Sequence, residues 1–379
     1  MKAMIFTVMP MFVCLFWTTM LAFELLTDRK DRSRLHLLLF FLAATVLYFG
    51  HCVFFNHNTG IIPFTDTLYL IANLAVYPLY YFYICSLTTR SGHDLMKWVM
   101  LAPSFILGVV SGILYLSMSQ EETQQFISLY LYEGEHAGLT GSAALQAVVH
   151  DVSKGFFALL IIPTFVYGRH HLLQYERLLR SIYADIEGKS LSNVHSMLIA
   201  FILTSIASFV ANIIGRHHFD EMHWLMAIPS TLFSMFLFAI GYIGYHQHFS
   251  MQDVEADEQQ ADAAVSDQPA ISELRKRIEL LMEQEQLYRQ PNFKIVDLVQ
   301  RLNTNRNYIY LAINREMGIP FNEYVNRMRI DYAILLMSQH PGRPLSEIAE
   351  QSGFTSNTSF YRNFKQFRGI GPKEYRDQL

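Results

Sequence analysis

With 379 residues the chain has room for two or three domains. Its 51% hydrophobic content, 16% charged content and positive mean hydropathy, taken with the length of its apolar runs, exclude a wholly soluble chain of buried helices. The formal net charge of −4 is an average over three unlike parts. These are an apolar stretch over 1–248, an acidic one over 249–270 with six acids and no base, and a mildly basic one over 271–379 with sixteen Lys and Arg against twelve Asp and Glu.

Seven apolar segments, near 4–26, 35–55, 63–87, 97–118, 148–168, 194–214 and 224–245, are long enough to cross a bilayer, which takes about 20 helical residues. The first lacks a small-residue cleavage site and outruns a signal-peptide core, so it is read as a span. Basic residues crowd alternate loops: Arg29, Lys30, Arg32 and Arg34, then Arg90 and Lys97, then Arg169, Arg177, Arg180 and Lys189. The opposite side shows only Lys2 and Arg216, so positive charge places the N-terminus outside and the C-terminus in the cytoplasm.

Polar groups gather on the outer side. The loop Ser119–Val149 carries Glu121, Glu122, Glu133 and Glu135 and no base. His51, His57, His136, His150, His217, His218 and His223 lie at the same level, and Asp66, Asn73 and Asn212 fall inside spans. Asp151 and Lys154 stand one helical turn apart and can pair. Intramembrane charges face a bundle interior or a wet cavity. Candidate ligand-sensing residues are therefore His51, Asp66, His150, Asp151, Lys154, Asn212, His217 and His223, around a polar pocket for a small ligand, a cation or protons. The competing reading is a packing ion pair with solvated loop histidines. No metal-ligand spacing appears, and no cofactor or metal is assigned. The aromatic run Tyr77–Tyr83, toward the cytoplasmic end of its helix, reads as an interfacial belt and packing surface rather than a ligand box, and Cys14, Cys52 and Cys85 as small apolar packing residues.

The segment Phe249–Ala270 is acidic, rich in Ala, Gln and Asp and stopped by Pro269. As a flexible linker its 22 residues would span roughly 26 Å. A helix follows with Ile271, Leu274, Ile278 and Leu281 at a/d spacing, serving either a short dimer seam or packing onto the last domain.

The last ninety residues hold two copies of one plan. In the first, a helix over Val296–Leu302, a turn at Asn303-Thr304-Asn305 and a second helix place Ile309 and Ile313 inward and Arg306, Asn307 and Tyr310 outward. In the second, the stretch from Pro344 to Phe354 reads as a capped helix with a glycine turn at Gly353. Ser356 caps the helix after it, whose Phe360, Phe364 and Phe367 form an apolar stripe. Asn357, Thr358, Tyr361, Arg362 and Lys365 take the other face. Between the copies, Phe321–Ser338 has no Gly or Pro, and as a helix its eighteen residues span about 27 Å. That is near the ~34 Å repeat of major-groove faces on one side of DNA.

Asp297-Leu298, Asn322-Glu323-Tyr324, Arg329-Ile330, Ala333, Leu336, Ile348-Ala349, Gly353-Phe354, Phe360, Phe364-Lys365, Gly371-Pro372 and Tyr375-Arg376 hold their order and spacing across 290–379. Over that range the chain resembles the C-terminal DNA-binding domain of AraC-type transcription regulators. The resemblance implies that the second helix of each unit enters the major groove. DNA contacts would then come from Arg306, Asn307 and Tyr310, and from Asn357, Thr358, Tyr361, Arg362 and Lys365. Leu311 departs from the pattern, standing where many members carry arginine, which implies fewer contacts from the first unit.

The expected fold is all-α: a polytopic bundle of about seven transmembrane helices (1–248), an acidic linker (249–270), a connecting helix (271–289) and a double helix-turn-helix domain (290–379). The expected function is a one-component transcription regulator in the bacterial cytoplasmic membrane, and not an enzyme. Its partners would be double-stranded promoter DNA, the lipid bilayer and an unknown small ligand or cation. A flexible linker favours signalling by altered homodimerisation. The alternative is a transporter or channel with an autoregulatory DNA-binding domain, whose mark would be helices interrupted by Gly or Pro. The chain carries no nucleophile–base pair, HExxH motif or nucleotide-binding glycine pattern.

Overall fold

The structure is a computed structural model that describes residues 2–27, 32–90, 95–184, 186, 189–214, 227–247, 249–262 and 271–379. Among them every regular element is a helix, apart from one isolated antiparallel bridge between Tyr183 and Lys294. The chain divides into two compact units, one of residues 1–172 and 191–250, the other of residues 173–190 and 251–379.

The first unit contains α1 (Lys2–Thr27), α2 (Arg32–Phe55), α3 (Ile62–Thr88) and α4 (Leu95–Ser117). The short α5 (Gln120–Gln125) and a π-helical stretch Phe126–Glu133 follow. The first part of α6 (Gly141–Ile182), then α7 (Ser192–Ile214) and α8 (Ala227–Tyr245), complete it. Seven of these helices, all but α5, are long and apolar enough to cross a membrane. They also leave large apolar side chains exposed, among them Phe12, Phe64, Phe105, Ile113, Leu116 and Leu159. Such a band of exposed apolar surface is what a water-soluble monomer avoids and what a bilayer covers.

Glycine lets helices approach closely where lipid supplies no drive for burial. A Cβ on Gly241 of α8 would lie 2.4 Å from the Trp17 ring of α1, and one on Gly108 of α4 would lie 2.1 Å from Ile71 Cγ1 of α3. Polar side chains also link these helices. Gln146 of α6 donates to Ser111 of α4 at 2.7 Å, and Arg34 of α2 pairs with Glu24 of α1.

In the second unit, α9 (Met251–Asp262) occupies the first half of the expected linker, with Met251 and Val254 buried against the domain and Asp253 in the first turn, where the helix dipole favours an acid. The rest of that linker lies outside the described residues. In α10 (Ile271–Glu285), Leu274, Ile278 and Met282 are buried, and the helix packs on the elements that follow it.

Next come α11 (Ile295–Leu302), α12 (Arg306–Tyr310) with a π-helical continuation Leu311–Glu316, and α13 (Phe321–Gln339). The domain ends with α14 (Leu345–Gln351), α15 (Asn357–Arg368) and α16 (Pro372–Arg376). Pro344, without a side-chain cap, opens α14, a difference from the expected capped start. Proline at that position has no N–H to leave unsatisfied.

The domain is pinned by Arg329 of α13, which is fully buried. Its Nε donates to the Tyr288 carbonyl at 2.6 Å, and its Nη2 to the Gln290 carbonyl at 2.9 Å. Its guanidinium also lies 5.5 Å from the Phe354 ring centroid. Gly353 rests on the same backbone. At φ +90° it adopts a conformation other residues rarely take, and an added Cβ would stand 2.6 Å from the Tyr288 oxygen. Replacing Arg329 with Met strands the buried Tyr288 carbonyl, at about 1–3 kcal/mol, and removes the part-buried bond to the Gln290 carbonyl, worth about 0.5–1.5 kcal/mol. Hydrogen-exchange protection of α13 amides in the full chain should therefore fall by about 2–4 kcal/mol. Unchanged protection in Arg329→Met would refute the pinning role.

Candidate nucleic-acid interface

Both helix pairs are built by local rules. In the first, the Asp297 carboxylate accepts the Lys294 N–H at 2.7 Å and caps α11. Asn303, at φ +47°, ends it in the left-handed conformation that asparagine tolerates. The Asn305 side chain then accepts the Tyr308 N–H at 3.0 Å and starts α12. Ile309, Ala312 and Ile313 are fully buried. Arg306 is half-buried and Tyr310 is 43% exposed. Asn307 lies in the same helix, but its side chain is outside the described residues.

In the second pair, Ser356 accepts the Ser359 N–H at 3.1 Å and caps α15. Phe360 and Phe364 are fully buried against Ile330, Ala333, Leu336, Ile348 and Phe354. Phe367, the third residue of the expected stripe, is only partly buried. Asn357, Thr358, Tyr361, Arg362 and Lys365 are all exposed, at the spacing that keeps them on one helix face. Arg368 pairs with Asp331 and ties the end of α15 to α13. The 19 residues of α13 span about 28 Å between the two pairs.

Burial, with Glu279 and Glu283 of α10 adding to it, pushes the Tyr324 phenol up to about 12, against the opposing pull of Arg275.

Sequence reasoning missed one component of this unit. Residues 173–190, the end of α6 and the turn after it, belong to it. Ile182, Tyr183 and Ala184 are buried. Ala184 N–H donates to the Phe293 carbonyl at 3.2 Å, and Asn326 Nδ2 of α13 donates to the Ala184 carbonyl at 3.1 Å. The Tyr183 ring lies 5.2 Å from Lys189 Nζ and 5.7 Å from Lys294 Nζ. Backbone pairing of this kind leaves no composition signal, and α6 was expected to stop near residue 168.

The expected sensing residues sort into three groups. His150 Nε2 and Tyr115 Oη both meet Asp66 Oδ2 at 2.8 Å, inside the bundle. Asp151 takes the Tyr130 hydroxyl and His136 Nε2 at 2.8 Å and Lys154 Nζ at 3.0 Å, and Tyr130 packs on His150 with ring centroids 5.7 Å apart. These residues form one connected network. His51 stands apart, its ring against Tyr69 and Phe55. Asn212 lies in α7 with its side chain outside the described residues, where His217 and His223 also fall. Among the described residues no cluster of His, Cys, Asp and Glu suits a metal ion.

Two helix pairs, each with a buried apolar stripe and an exposed polar second helix, joined by one long helix, define a double helix-turn-helix DNA-binding domain. A family described as "Helix-turn-helix domain" matches residues 298–378, and this C-terminal part of the chain is an AraC-type DNA-binding domain. It is 30% identical over 82 residues to the melibiose operon regulatory protein of Escherichia coli, covering 22% of this chain and 27% of that one. It is 34% identical over 84 residues to the TCP pilus virulence regulatory protein of Vibrio cholerae, covering 22% and 30%. It is 24% identical over 88 residues to the Msm operon regulatory protein of Streptococcus mutans, covering 23% and 31%. The chain thus spans less than a third of the length of these curated relatives. No solved structure matches it.

Arg362→Ala should weaken a specific duplex by about 1–3 kcal/mol if the guanidinium reads a base edge. Titrating the full chain with specific and random duplexes at several salt concentrations checks this. Equal loss on both duplexes would instead assign Arg362 to phosphate.

Proposed function

We propose that this chain is a membrane-embedded one-component transcription regulator that couples a signal from the membrane or from outside it to sequence-specific promoter binding. The seven apolar helices cross the cytoplasmic membrane with the N-terminus outside, as the basic loops favour. Arg306, Asn307 and Tyr310 of α12, and Asn357, Thr358, Tyr361, Arg362 and Lys365 of α15, contact double-stranded DNA.

The observation that carries this reading is the division of α6. It is one unbroken helix from Gly141 to Ile182. Residues up to Leu172 belong to the apolar unit, and those from Leu173 onward to the DNA-binding unit. At 42 residues it measures about 63 Å, twice the ~30 Å hydrocarbon thickness, so its second half must leave the bilayer. A tilt or shift of α6 is then felt at Ala184, at Asn326 and, through the 3.4 Å contact of Asn326 Oδ1 with Arg329 Nη1, at the domain's central pin.

This path needs no free tether, and it displaces altered dimerisation as the preferred mechanism. The burial of Leu274, Ile278 and Met282 of α10 within their own unit supports the same choice. The transporter reading draws less support, because Pro78, Pro103 and Pro163 lie inside helices that continue past them, and Pro229 sits in the first turn of α8.

The test compares transcripts across a panel of media in strains carrying the full chain, the Asn357→Ala/Arg362→Ala variant, or Asn326→Leu. The double variant should lose control of the target genes. Asn326→Leu should keep DNA affinity within about fivefold, the scale of one hydrogen bond, while flattening the response to medium. A double variant that still controls the same genes would sink the DNA-contact assignment. An Asn326→Leu strain matching the parent in every medium would sink the α6 path.

A further inference from the structure

Within the first unit, α1, α2, α3, α6, α7 and α8 line a partly open cavity of about 330 Å³, at the small end of ligand pockets. No Asp, Glu, Lys or Arg lines it, and nine of its lining residues are Phe or Tyr. The aromatic walls are fixed by their own packing. Phe201 meets Phe40 at 6.0 Å, Tyr77 at 5.3 Å and Phe236 at 6.3 Å between ring centroids. The hydroxyls of Thr204 and Ser205 are already spent on backbone carbonyls of their own helix, at 3.0 and 2.6 Å.

Two polar groups differ. The Tyr48 hydroxyl and the Asn73 amide line the cavity and make no hydrogen bond to any described residue. Asn73 is half-buried and open to the cavity, and an amide facing a largely apolar space without a partner is costly, which points to a group that completes it. Asn73, Tyr69 and Phe157 also border a smaller space of about 30 Å³ beside His150 and Lys154, which makes the Asn73 end the polar end. Asp66, His150, Asp151 and Lys154 hydrogen-bond one another or neighbouring tyrosines and leave the cavity itself uncharged.

We propose that this cavity binds a small, neutral, aromatic-bodied lipophilic molecule carrying one hydrogen-bonding group, which pairs with Asn73 and Tyr48. Charge is disfavoured because nothing in the wall compensates its desolvation. The flat rings of the wall suit an aromatic body by offset and edge-to-face contact. The proposal deepens the sensor reading by naming the class of signal, and it extends to a ligand arriving through the lipid.

The test is photolabelling of the full chain in nanodiscs with 4-hydroxybenzophenone, which is neutral and aromatic with one hydroxyl, followed by peptide mapping. Adducts should be saturable and fall on α2, α3 and α7. Asn73→Leu, close in size, should raise the half-saturating concentration about tenfold. Ala44→Trp, which fills the cavity, should abolish labelling there. The anionic 4-benzoylbenzoate should label weakly. Non-saturable adducts spread over outward residues such as Phe105, Ile113 and Leu116 would overturn the proposal in favour of lipid filling. Equal labelling by the anion, or indifference to Asn73→Leu, would also overturn it. No DNA is present in this assay, so saturable binding by a chain that controls no gene would retire the regulator reading and leave the site standing.

Discussion

A fully buried guanidinium with backbone carbonyls as its acceptors is the constraint on which the DNA-binding unit depends. Burying a cation is tolerable only when its donors are satisfied, and Arg329 meets that condition with the Tyr288 and Gln290 carbonyls and the Asn326 side chain. Its planar fork suits carbonyls fixed two residues apart better than a lysine ammonium would. The same turn of backbone is the surface on which Gly353 rests without a Cβ, so the turn between the helices of the second pair is positioned against the residues that precede the first. One side chain of the linking helix thereby ties the turn of the second pair to the segment that leads into the first.

That arrangement explains which parts of the fold were legible in the sequence. The recognition helices announce themselves because their rule is local: Phe360 and Phe364 lie one turn apart, Ser356 caps, and Gly353 and Asn303 turn the chain. The seven apolar helices are equally legible, since length and hydropathy suffice. The docking of Tyr183 and Ala184 was not. It rests on backbone groups, which every residue carries, and on Asn326, an amide that in sequence could as well have been solvated. The acidic linker misled for a related reason. Two apolar residues, Met251 and Val254, anchor its first turns, and two residues make no periodic signal.

In the apolar unit the polar residues drew the eye, and the structure redistributes their meaning. Asp66 and His150 find hydrogen-bonding partners within the protein, as buried polar groups must, while the exposed Asp151 and Lys154 bond each other and Tyr130. Tyr77, read as part of an interfacial belt and packing surface, lines the cavity, while the burial of Tyr80, Tyr81 and Tyr83 fits a packing surface and not a belt. Asn73 was noted only as a polar residue inside a span. What distinguishes it is the partner it lacks among the described residues, a property that no sequence pattern records.

A regulator tethered by a flexible chain can sense only by changing who its neighbours are, because a random coil transmits concentration and not orientation. A helix that ends inside the DNA-binding unit changes that logic. Its last turn is held by the Ala184–Phe293 and Asn326–Ala184 hydrogen bonds, each a short-range contact that an ångström of displacement breaks. Asn326 sits one turn from Arg329 on the buried face of α13, so the proposed path would bring strain at the docking point to that buried guanidinium. An equilibrium shift requires only that the signal favour one placement of that turn over another by a few kcal/mol. Interactions of this size are what one or two buried hydrogen bonds supply, so the path proposed through the Ala184 turn requires no change of oligomeric state.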